Sequence, residues 1–191
     1  MRYKDALKVE QILQAALRLV HSVGLVGLKM SDLAKEAGVA TGTVYLYFED
    51  KEQLIQQLYD LLTTQQTKSF VQPFEDGDSL KIKIKKLTRY YLEQNLQNPQ
   101  STAFFEQYYR SPFAKKHLSS SRNTFHWPPL QQLIVEGQHQ SLLKEVNVDW
   151  LVMLICGMLN ETASQIALRQ QPLTEAEWEL TFNVIWDGIR S

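Results

Sequence analysis

The feature that most constrains this fold is a pair of short helical patterns joined by a glycine-containing turn. The first pattern runs from Ser31 to Ala37 and the second from Gly42 to Phe48, with Gly38–Thr41 between them. Two short helices joined in this way form a helix-turn-helix, whose second helix can enter the major groove of DNA. The sequence therefore predicts a DNA-binding motif within its first fifty residues.

The helices on either side of this motif have clear ends. A helix is predicted from Asp5 to Val23, because apolar residues recur at three- and four-residue steps and Gly24 supplies a left-handed stop. Another helix opens at Asp50, whose carboxylate can cap it while Gln53 reaches back to the cap amide, as in a capping box. The motif thus belongs to a three-helix N-terminal domain.

One later segment has the alternating pattern of a β strand. Leu80 to Leu87 reads LKIKIKKL and alternates between apolar and basic residues. However, Leu80, Ile84 and Leu87 also fall on one helix face, and the segment continues to Leu96 without a turn or a partner strand. We therefore predict a helix here, ended by Pro99.

The rest of the chain is also predicted to be helical. The further helices cover Ser101 to Arg110, a stretch that begins after Pro112 and ends near Gln140, Val148 to Arg169, and a last helix that starts at the Thr174 capping box. Ser119–Ser121 is predicted to form a short loop. The predicted fold class is all-α, with about nine helices.

Composition and charge indicate where in the cell the protein is located, but they say little about its function. The net charge of −1 neither demands nor excludes a polyanionic partner. Cys156, the only cysteine, cannot form an intrachain disulfide, and it lies in an apolar run from Trp150 to Leu159. That run falls short of the roughly 20 apolar residues of a membrane span, and the N-terminus lacks the apolar core of a signal. A cytoplasmic protein without membrane association is expected.

The sequence shows no catalytic or metal-binding constellation. The histidines His21, His117, His126 and His139 have no paired metal spacing, and no His-Glu-x-x-His, phosphate loop or Gly-x-Ser-x-Gly motif occurs. We therefore expect no enzymatic activity, no metal and no cofactor other than a small-molecule effector.

The second motif helix has one face for its own core and another for a partner. Val44 and Phe48, four residues apart, can pack against Leu33. Thr43 and Tyr47, also four apart, are predicted to face outward. A helix this short is suited to presenting an outer face while its inner face is anchored.

Several side chains at the ends of the motif helices suit contact with DNA. Small and hydroxyl-bearing side chains allow close approach to base edges, whereas phenols and lysines suit phosphate oxygens. The predicted contacts are Lys29, Ser31, Thr41, Gly42, Thr43, Tyr45, Tyr47 and Lys51. Against this, aromatic residues on a short helix often belong to the core, and residues 1–60 carry 7 Lys and Arg against 8 Asp and Glu. Without a strong basic surface, affinity per subunit should be modest, which favours a dimer.

The stretch from Leu28 to Leu54, LKMSDLAKEAGVATGTVYLYFEDKEQL, resembles the DNA-binding segment of the TetR family of bacterial transcriptional regulators. The resemblance rests on the Leu-Ala pair, the Ala-Gly-Val turn, the Gly-Thr-Val-Tyr-x-Tyr-Phe helix and the Lys and Leu that follow, and it covers roughly the first 60 residues. It implies an all-helical homodimer with an N-terminal DNA-binding domain and a C-terminal regulatory domain that usually holds a small effector. By this pattern, the DNA-contacting positions are Thr41, Thr43, Tyr45, Tyr47 and Lys51.

Lys29 departs from the family pattern, which usually places Thr or Ser at this helix start. A lysine side chain cannot accept an amide hydrogen bond. Either Lys29 contacts a phosphate directly, or the helix start is shifted and Ser31 takes part.

Pro73 and the stretch Glu75–Asp78 break the helical pattern and mark the best domain boundary. We predict a helix-turn-helix DNA-binding domain at residues 1–50 and a connecting helix at residues 51–72. Residues 73–191 are predicted to form a C-terminal helical domain for regulation, ligand binding and dimerisation.

Aromatic residues concentrate in the middle of the C-terminal part, the region that surrounds the effector pocket in the family. We predict a pocket for a small apolar or aromatic effector, lined by Phe104, Phe105, Tyr108, Trp127, Met153 and Asn160. The same side chains also suit a plain hydrophobic core, and the sequence does not decide between the two.

The last two helices carry more apolar surface than a monomer leaves uncovered, which predicts a four-helix dimer bundle, although some of this surface must face the subunit's own core. The predicted interface residues are Trp150, Leu154, Met158, Phe182, Ile185, Trp186 and Ile189. A separate basic stretch, residues 81–116, holds 8 Lys and Arg against 2 Glu. Its lysines alternate with isoleucines rather than with base-stacking aromatics, so a solvated helix face is favoured over a nucleic-acid or membrane surface.

These patterns predict a ligand-responsive, sequence-specific DNA-binding transcriptional regulator. The expected mechanism is that of a repressor, which a small molecule releases from a palindromic double-stranded DNA operator. An enzyme and a helical interaction module without DNA are the competing classes. The latter leaves Thr43, Tyr47 and Lys51 unexplained.

Overall fold

The computed structural model describes residues 3–118 and 127–191, which form ten α helices. They are α1 (Tyr3–Gly27), α2 (Met30–Glu36), α3 (Thr41–Tyr47), α4 (Lys51–Ser69), α5 (Leu80–Gln97), α6 (Pro99–Tyr109), α7 (Pro112–Leu118), α8 (Pro128–His139), α9 (Val148–Arg169) and α10 (Glu175–Ile189). Within these ranges the one β-type contact is an isolated antiparallel bridge between Leu143 and Arg190. The all-α fold class is confirmed.

α1 is broken where the sequence predicted its end. Gly24 has φ 76° and ψ 164°, a conformation that side chains with a Cβ rarely adopt. Helical hydrogen bonding resumes beyond it, because the Leu28 amide donates to the Gly24 carbonyl at 3.2 Å. The predicted stop is therefore a break within a longer element that reaches Gly27.

The helix-turn-helix occupies α2 and α3, each of which starts one residue earlier than predicted. Gly38, with φ 65°, closes α2 in a Schellman motif. Its amide donates to Lys35 O at 3.1 Å, and the amide of Val39 donates to Ala34 O at 2.9 Å. This paired capping fixes the sharp turn that leads into α3.

The start of α4 follows the predicted cap, with one difference. Asp50 Oδ1 accepts from the Gln53 amide at 2.8 Å. Gln53 Oε1 accepts from the amide of Glu49 at 2.7 Å, rather than from the cap amide as expected. The chain bends at Glu49 and Asp50, so the Glu49 amide lies within reach of Gln53. Asp50 and Gln53 therefore still cap the start of α4 together, but Gln53 binds the amide one residue before the cap.

α5 is a helix as predicted, despite its strand-like alternation. The stretch predicted as one helix after Pro112 contains two helices, α7 and α8, so the expected number of about nine was one too low for the described residues. The predicted Ser119–Ser121 loop and His126 lie outside the described residues. α9 has its predicted bounds, and Thr174 forms the predicted capping box of α10.

The helices group into two units by their contacts. The first unit comprises Met1–Phe70 and Asn98–Arg122, and the second comprises Val71–Gln97 and Asn123–Ser191. The first therefore contains α1–α4, α6 and α7, and the second contains α5 and α8–α10. The domain limits predicted at residues 50 and 72 remain a prediction, since this grouping follows spatial contacts rather than the boundaries of a functional domain.

The core of the first unit joins the motif to its supporting helices. Its fully buried large side chains come from α1, α2, α4, α6 and the α3 region: Ile12, Leu33, Phe48, Leu54, Ile55, Leu58, Phe104 and Tyr108. Because α3 contributes its inner face to this core, its outer face is held rigidly at the surface.

The second unit packs α5 against α10 through a cation–aromatic ladder. Lys81, Lys85 and Arg89 recur every four residues on α5. Their cationic groups lie over the rings of Trp186, Phe182 and Trp178 at 5.4, 5.7 and 5.8 Å respectively. Lys85 also pairs with Glu179, and Arg89 with Glu175. The α5 part of the basic stretch thus makes specific contacts within the second unit, in addition to its predicted exposure to solvent.

α9 is long and apolar enough, by length and composition alone, to cross a membrane. The predicted apolar run was shorter because it stopped at Leu159, whereas the helix continues to Arg169. Of its most apolar 18-residue window, 39% is buried inside the protein. Core helices of soluble proteins meet the same criterion, so this is weak evidence for a span.

Candidate nucleic-acid interface

α3 presents a narrow exposed strip of four residues, Thr41, Gly42, Tyr45 and Leu46. Val44 and Phe48 are fully buried on the opposite side. Successive residues of a helix turn by about 100°, so Leu46, two positions from Val44, points away from the core. It is 80% exposed, and Tyr45 is 53% exposed.

Thr43 and Tyr47 were predicted to face outward, but they are not the most exposed residues of α3. Both are half-buried at the flanks of α3, because each lies next to the buried face rather than opposite it. Leu46 was missed, although its two-residue offset from the core position Val44 is a signal that the sequence contains. The exposed strip therefore combines a hydroxyl, a bare backbone, a phenol and an apolar side chain.

The hydroxyl of Tyr47 has a partner within the first unit. Tyr47 Oη donates to Asp5 Oδ1 at 3.4 Å, and its ring packs against the buried core. Burial raises the pKa of Tyr47, and the negative charge of Asp5 and its hydrogen bond raise this pKa further. The phenol therefore stays protonated and carries one hydrogen, so that a phosphate oxygen would have to replace Asp5 as its acceptor.

Lys51 is also engaged before any DNA arrives. Its ammonium donates to the carbonyl of Val26 at 3.1 Å, and burial lowers the pKa of Lys51. An ammonium carries three hydrogens, so two remain for a phosphate. Lys51 thus links the first turn of α4 to the segment that precedes α2.

The start of α2 bears on the two alternatives for Lys29. The helix begins at Met30 with Lys29 as its N-cap, and no side chain caps its amides. Ser31 is exposed within the first turn rather than at the cap position. The shifted start is therefore wrong, and Lys29 remains an exposed cation beside uncapped amides.

The six predicted pocket residues belong to different units. Phe104, Phe105 and Tyr108 lie in the first unit, whereas Trp127, Met153 and Asn160 lie in the second. Phe104 and Tyr108 are fully buried, with ring centroids 5.7 Å apart. These two side chains fill the core, which is the alternative interpretation that the sequence left open.

Tyr108 also borders a groove of the first unit. Tyr59 stacks on its ring at 4.6 Å, and burial raises the pKa of Tyr108 to about 12. The groove has a volume of about 500 Å³, and its lining includes Glu52, Ile55, Tyr108, Phe113 and Lys116. Lys116 and Glu52 form an ion pair of 2.6 Å there, joining α7 to α4.

In the second unit, Asn160 is the centre of a half-buried polar cluster. Its Oδ1 accepts from Tyr91 Oη and from Asn95 Nδ2, both at 2.9 Å. The ring of Trp127 lies 4.8 Å from that of Tyr91, and burial raises the pKa of Tyr91. Trp127 and Asn160 both contact Tyr91, which was not among the predicted pocket residues, and their role in binding an effector stays a prediction. Met153 is exposed.

The predicted dimer residues divide into exposed and buried groups. Trp150, Leu154 and Met158 are exposed along one side of α9. Assigning Phe182, Ile185 and Ile189 to a surface was wrong, because they are buried in the second unit, and Trp186 is half-buried beneath Lys81. The exposed large apolar residues of α10 are Leu180 and Val184, neither of which was among the predicted interface residues.

Known proteins resemble this chain over both its motif and its whole length. Residues 12–58 match the family model of bacterial regulatory proteins, tetR family. An uncharacterized HTH-type transcriptional regulator of Haemophilus influenzae is 29% identical over 157 residues, covering 81% of this chain and 80% of the relative. The crystal structure of a TetR-family transcriptional regulator from Haemophilus influenzae Rd has a TM-score of 0.79 at 25% identity and covers 100% of both chains. That of FadR from Bacillus subtilis, in complex with stearoyl-CoA, shares the fold, with a TM-score of 0.66 at 20% identity over 93% of this chain and 95% of FadR.

Proposed function

Because this chain is a DNA-binding helix-turn-helix transcriptional regulator of the TetR family, which is not a family of enzymes, we propose that it represses transcription until a small molecule releases it from its operator. The observation that carries this proposal is the exposed strip of α3, whose buried face anchors it in the first unit. A rigidly held outer face is what major-groove recognition requires.

The DNA contacts follow from the character of each side chain. Thr41, Gly42 and Thr43 let the start of α3 approach base edges, and Leu46 suits a thymine methyl group. The predicted phosphate contacts come from hydroxyl and ammonium groups at the margins of the motif: Lys29, Ser31, Tyr45, Tyr47 and Lys51. Base edges would determine the sequence preference, and phosphates would set the register.

The regulator acts as a homodimer in the bacterial cytoplasm and binds a palindromic operator. Two recognition helices must lie about one helical repeat apart, roughly 34–36 Å, to enter successive major grooves. Exposed apolar residues on α9 and α10 supply a surface for pairing. A two-fold symmetric protein then matches a two-fold symmetric site.

The effector is a small apolar or aromatic molecule. Trp127 stacks beside Tyr91 near Asn160, so aromatic and polar groups lie together in the second unit. FadR, which shares this fold, was solved with stearoyl-CoA, an apolar chain attached to a polar group. An effector releases DNA if it binds more tightly to the conformation whose recognition helices are wrongly spaced.

The test is the salt dependence of binding to duplexes that the protein selects from a random pool. A regulator should enrich a palindromic sequence, and log affinity should fall linearly with log salt concentration as several counterions are released. Leu46→Ala should weaken binding and relax preference at one base position, whereas Val71→Ala, another exposed apolar side chain, should not. Failure to enrich any sequence would refute specific operator binding.

Release by a ligand needs a separate titration of the protein–duplex complex. Stearoyl-CoA is the first probe, with coenzyme A as the control that lacks the acyl chain. Release by the acyl form alone supports an apolar effector, and flat aromatic compounds form the second panel. If no member of either panel changes the affinity for DNA, the proposed effector class is wrong.

A further inference from the structure

The break in α1 is held by a side chain from α6. A regular helix would direct the Leu25 amide to the carbonyl of His21, but the non-helical Gly24 turns it away. The Leu25 amide instead donates to Gln107 Oε1 at 2.6 Å. Gln107 Nε2 approaches the Val20 carbonyl at 3.5 Å, so that one side-chain amide spans both sides of the break.

The space at the break suits this arrangement. A Cβ added to Gly24 would lie 3.2 Å from Gln107 Oε1 and would strain a backbone that has φ 76°. The glycine thus provides the conformation and also the room for the glutamine. Gln107 is half-buried, so its bond to Leu25 is partly shielded from competing water.

The segment held by Gln107 leads directly into the helix-turn-helix. Leu25 and Leu28 are buried on either side of Val26, whose carbonyl accepts from Lys51. The short connection between the break and α2 therefore has one polar support from α6 and another from the first turn of α4. Its path sets where α2 begins, and α2 is joined to α3 by the rigid Schellman turn at Gly38.

We propose that Gln107 is a positioning residue for operator binding, which acts on the helix-turn-helix through Leu25 without touching DNA. This proposal rests on the DNA-binding function and deepens it by naming a regulatory link. The next residue of α6, Tyr108, lines the groove of the first unit. A displacement of α6 would therefore reach the recognition helix through the hydrogen bond between Gln107 and Leu25.

The test separates positioning from simple stabilisation. Gln107→Met keeps a side chain of similar length but removes both hydrogen bonds, and Gln107→Glu keeps an acceptor for Leu25 while losing the donor to Val20. The matched control is Gln100→Met, because Gln100 lies on the same face of α6 and is also half-buried. Each variant is measured for hydrogen exchange of the Leu25 amide, for resistance to denaturant, and for affinity to the duplex selected by the wild-type protein.

Gln107→Met should lose protection of the Leu25 amide and bind the duplex roughly threefold to tenfold more weakly at low denaturant, where all variants are folded. The salt slope should stay unchanged, because no phosphate contact is lost. Gln107→Glu should fall between the wild type and Gln107→Met in the protection of the Leu25 amide and in its affinity for the duplex. This second variant keeps the test decisive if Gln107→Met folds poorly. Gln100→Met should match the wild type.

Wild-type affinity with an unprotected Leu25 amide in either Gln107 variant would overturn the proposal, and so would equal losses in Gln100→Met. If the wild-type protein selects no duplex, the DNA-binding proposal fails instead. Exchange at Leu25 would still report whether the hydrogen bond exists.

Discussion

Tyr47 illustrates how one side chain can serve the free protein and the DNA complex in turn. Its ring packs into the first unit, and its single hydrogen goes to Asp5 over a long 3.4 Å. A bond of this length to a partly exposed carboxylate is weak, so a phosphate oxygen can replace it at little cost. Truncating the whole side chain would remove packing together with the hydroxyl, so the informative change removes the hydroxyl alone.

Tyr47→Phe should change the free energy of unfolding by less than about 1 kcal/mol and weaken operator binding roughly threefold to tenfold. Asp5→Ala, which frees the hydroxyl without removing it, should leave operator affinity equal or higher. Denaturant titrations and duplex binding measured on the same samples check both expectations. Unchanged affinity in Tyr47→Phe would remove its hydroxyl from the set of phosphate contacts.

Glu177 gives a prediction about pH. Its carboxylate pairs with Arg169 and accepts from the Thr174 amide at 2.9 Å, and these bonds lower the pKa of Glu177 to about 2. Its ordinary pKa is about 4.3. Because the folded-state pKa is depressed, the stabilisation is fully present above about pH 5 and is lost as the pH falls towards about 2.

Glu177→Gln keeps an acceptor for the capping box but removes this charge. The wild type should therefore be more stable than the variant at pH 6, and the difference should shrink steadily as the pH is lowered through 4 towards 2. Free energies of unfolding measured across that range, with each protein at the same salt concentration, provide the check. A difference that does not depend on pH would show that the ion pair with Arg169 contributes nothing.

Helix periodicity explains why the elements could be predicted and why their exposed faces were harder to assign. The buried pair Val44 and Phe48 follows from four-residue spacing, and so does the correct choice of helix for α5. The same spacing does not say which residues of α3 stand farthest from the core. Leu46 is apolar, and so it does not look like a surface residue until its angle from Val44 is considered.

α10 shows the opposite error for a related reason. Its apolar stripe, Phe182, Ile185 and Ile189, was correctly recognised as a stripe, but these three residues were placed in the part that faces a partner subunit rather than in the part that faces their own core. A hydrophobic face is equally satisfied by its own chain or by another, because burial of apolar area has no direction. The cations of α5 that lie over Trp178 and Phe182 complete the internal contact, and these pairings join residues about ninety positions apart.

Gly137 provides a test of how tightly α8 packs in the second unit. A Cβ placed there would lie 2.5 Å from Leu143 Cδ1 and 2.7 Å from Leu80 Cδ2. Gly137→Ala should therefore destabilise the protein by about 1–3 kcal/mol, despite the higher helix propensity of alanine. Gly157→Ala is the control on α9, since nothing in the same chain lies within 4 Å of the corresponding position, and it should stabilise the subunit by about 0.5–1 kcal/mol when both variants are compared at a concentration low enough to keep the protein monomeric, because Gly157 lies on the side of α9 proposed for subunit contact. Equal effects at both sites in denaturant titrations would contradict the close packing.

The arrangement of the chain explains why the predicted pocket residues do not all lie in one unit. Residues 71–97 leave the first unit and join the second, and the chain then returns to the first unit at Asn98. A sequence window cannot reveal such an exchange, because the contacts that cause it lie far apart along the chain. Phe104 and Tyr108 were therefore grouped with Trp127 and Asn160 on the basis of composition, although contacts assign them to different units.

Pairing of two chains is the property on which operator binding most depends, and α9 offers a matched pair of substitutions to test it. Leu154 lies between Trp150 and Met158 on the exposed side of α9, and Leu142 lies in the loop before it; both are 47% exposed. Leu154→Arg would place a charge without a partner in the proposed subunit contact. The variant should therefore sediment as a monomer at micromolar concentration. It should also bind the palindromic duplex at least about tenfold more weakly. Leu142→Arg should remain a dimer with unchanged affinity, because its loop lies outside the proposed contact. Should both variants stay dimeric, α9 is not the interface, and should the wild type itself sediment as a monomer, each half-site must be bound independently.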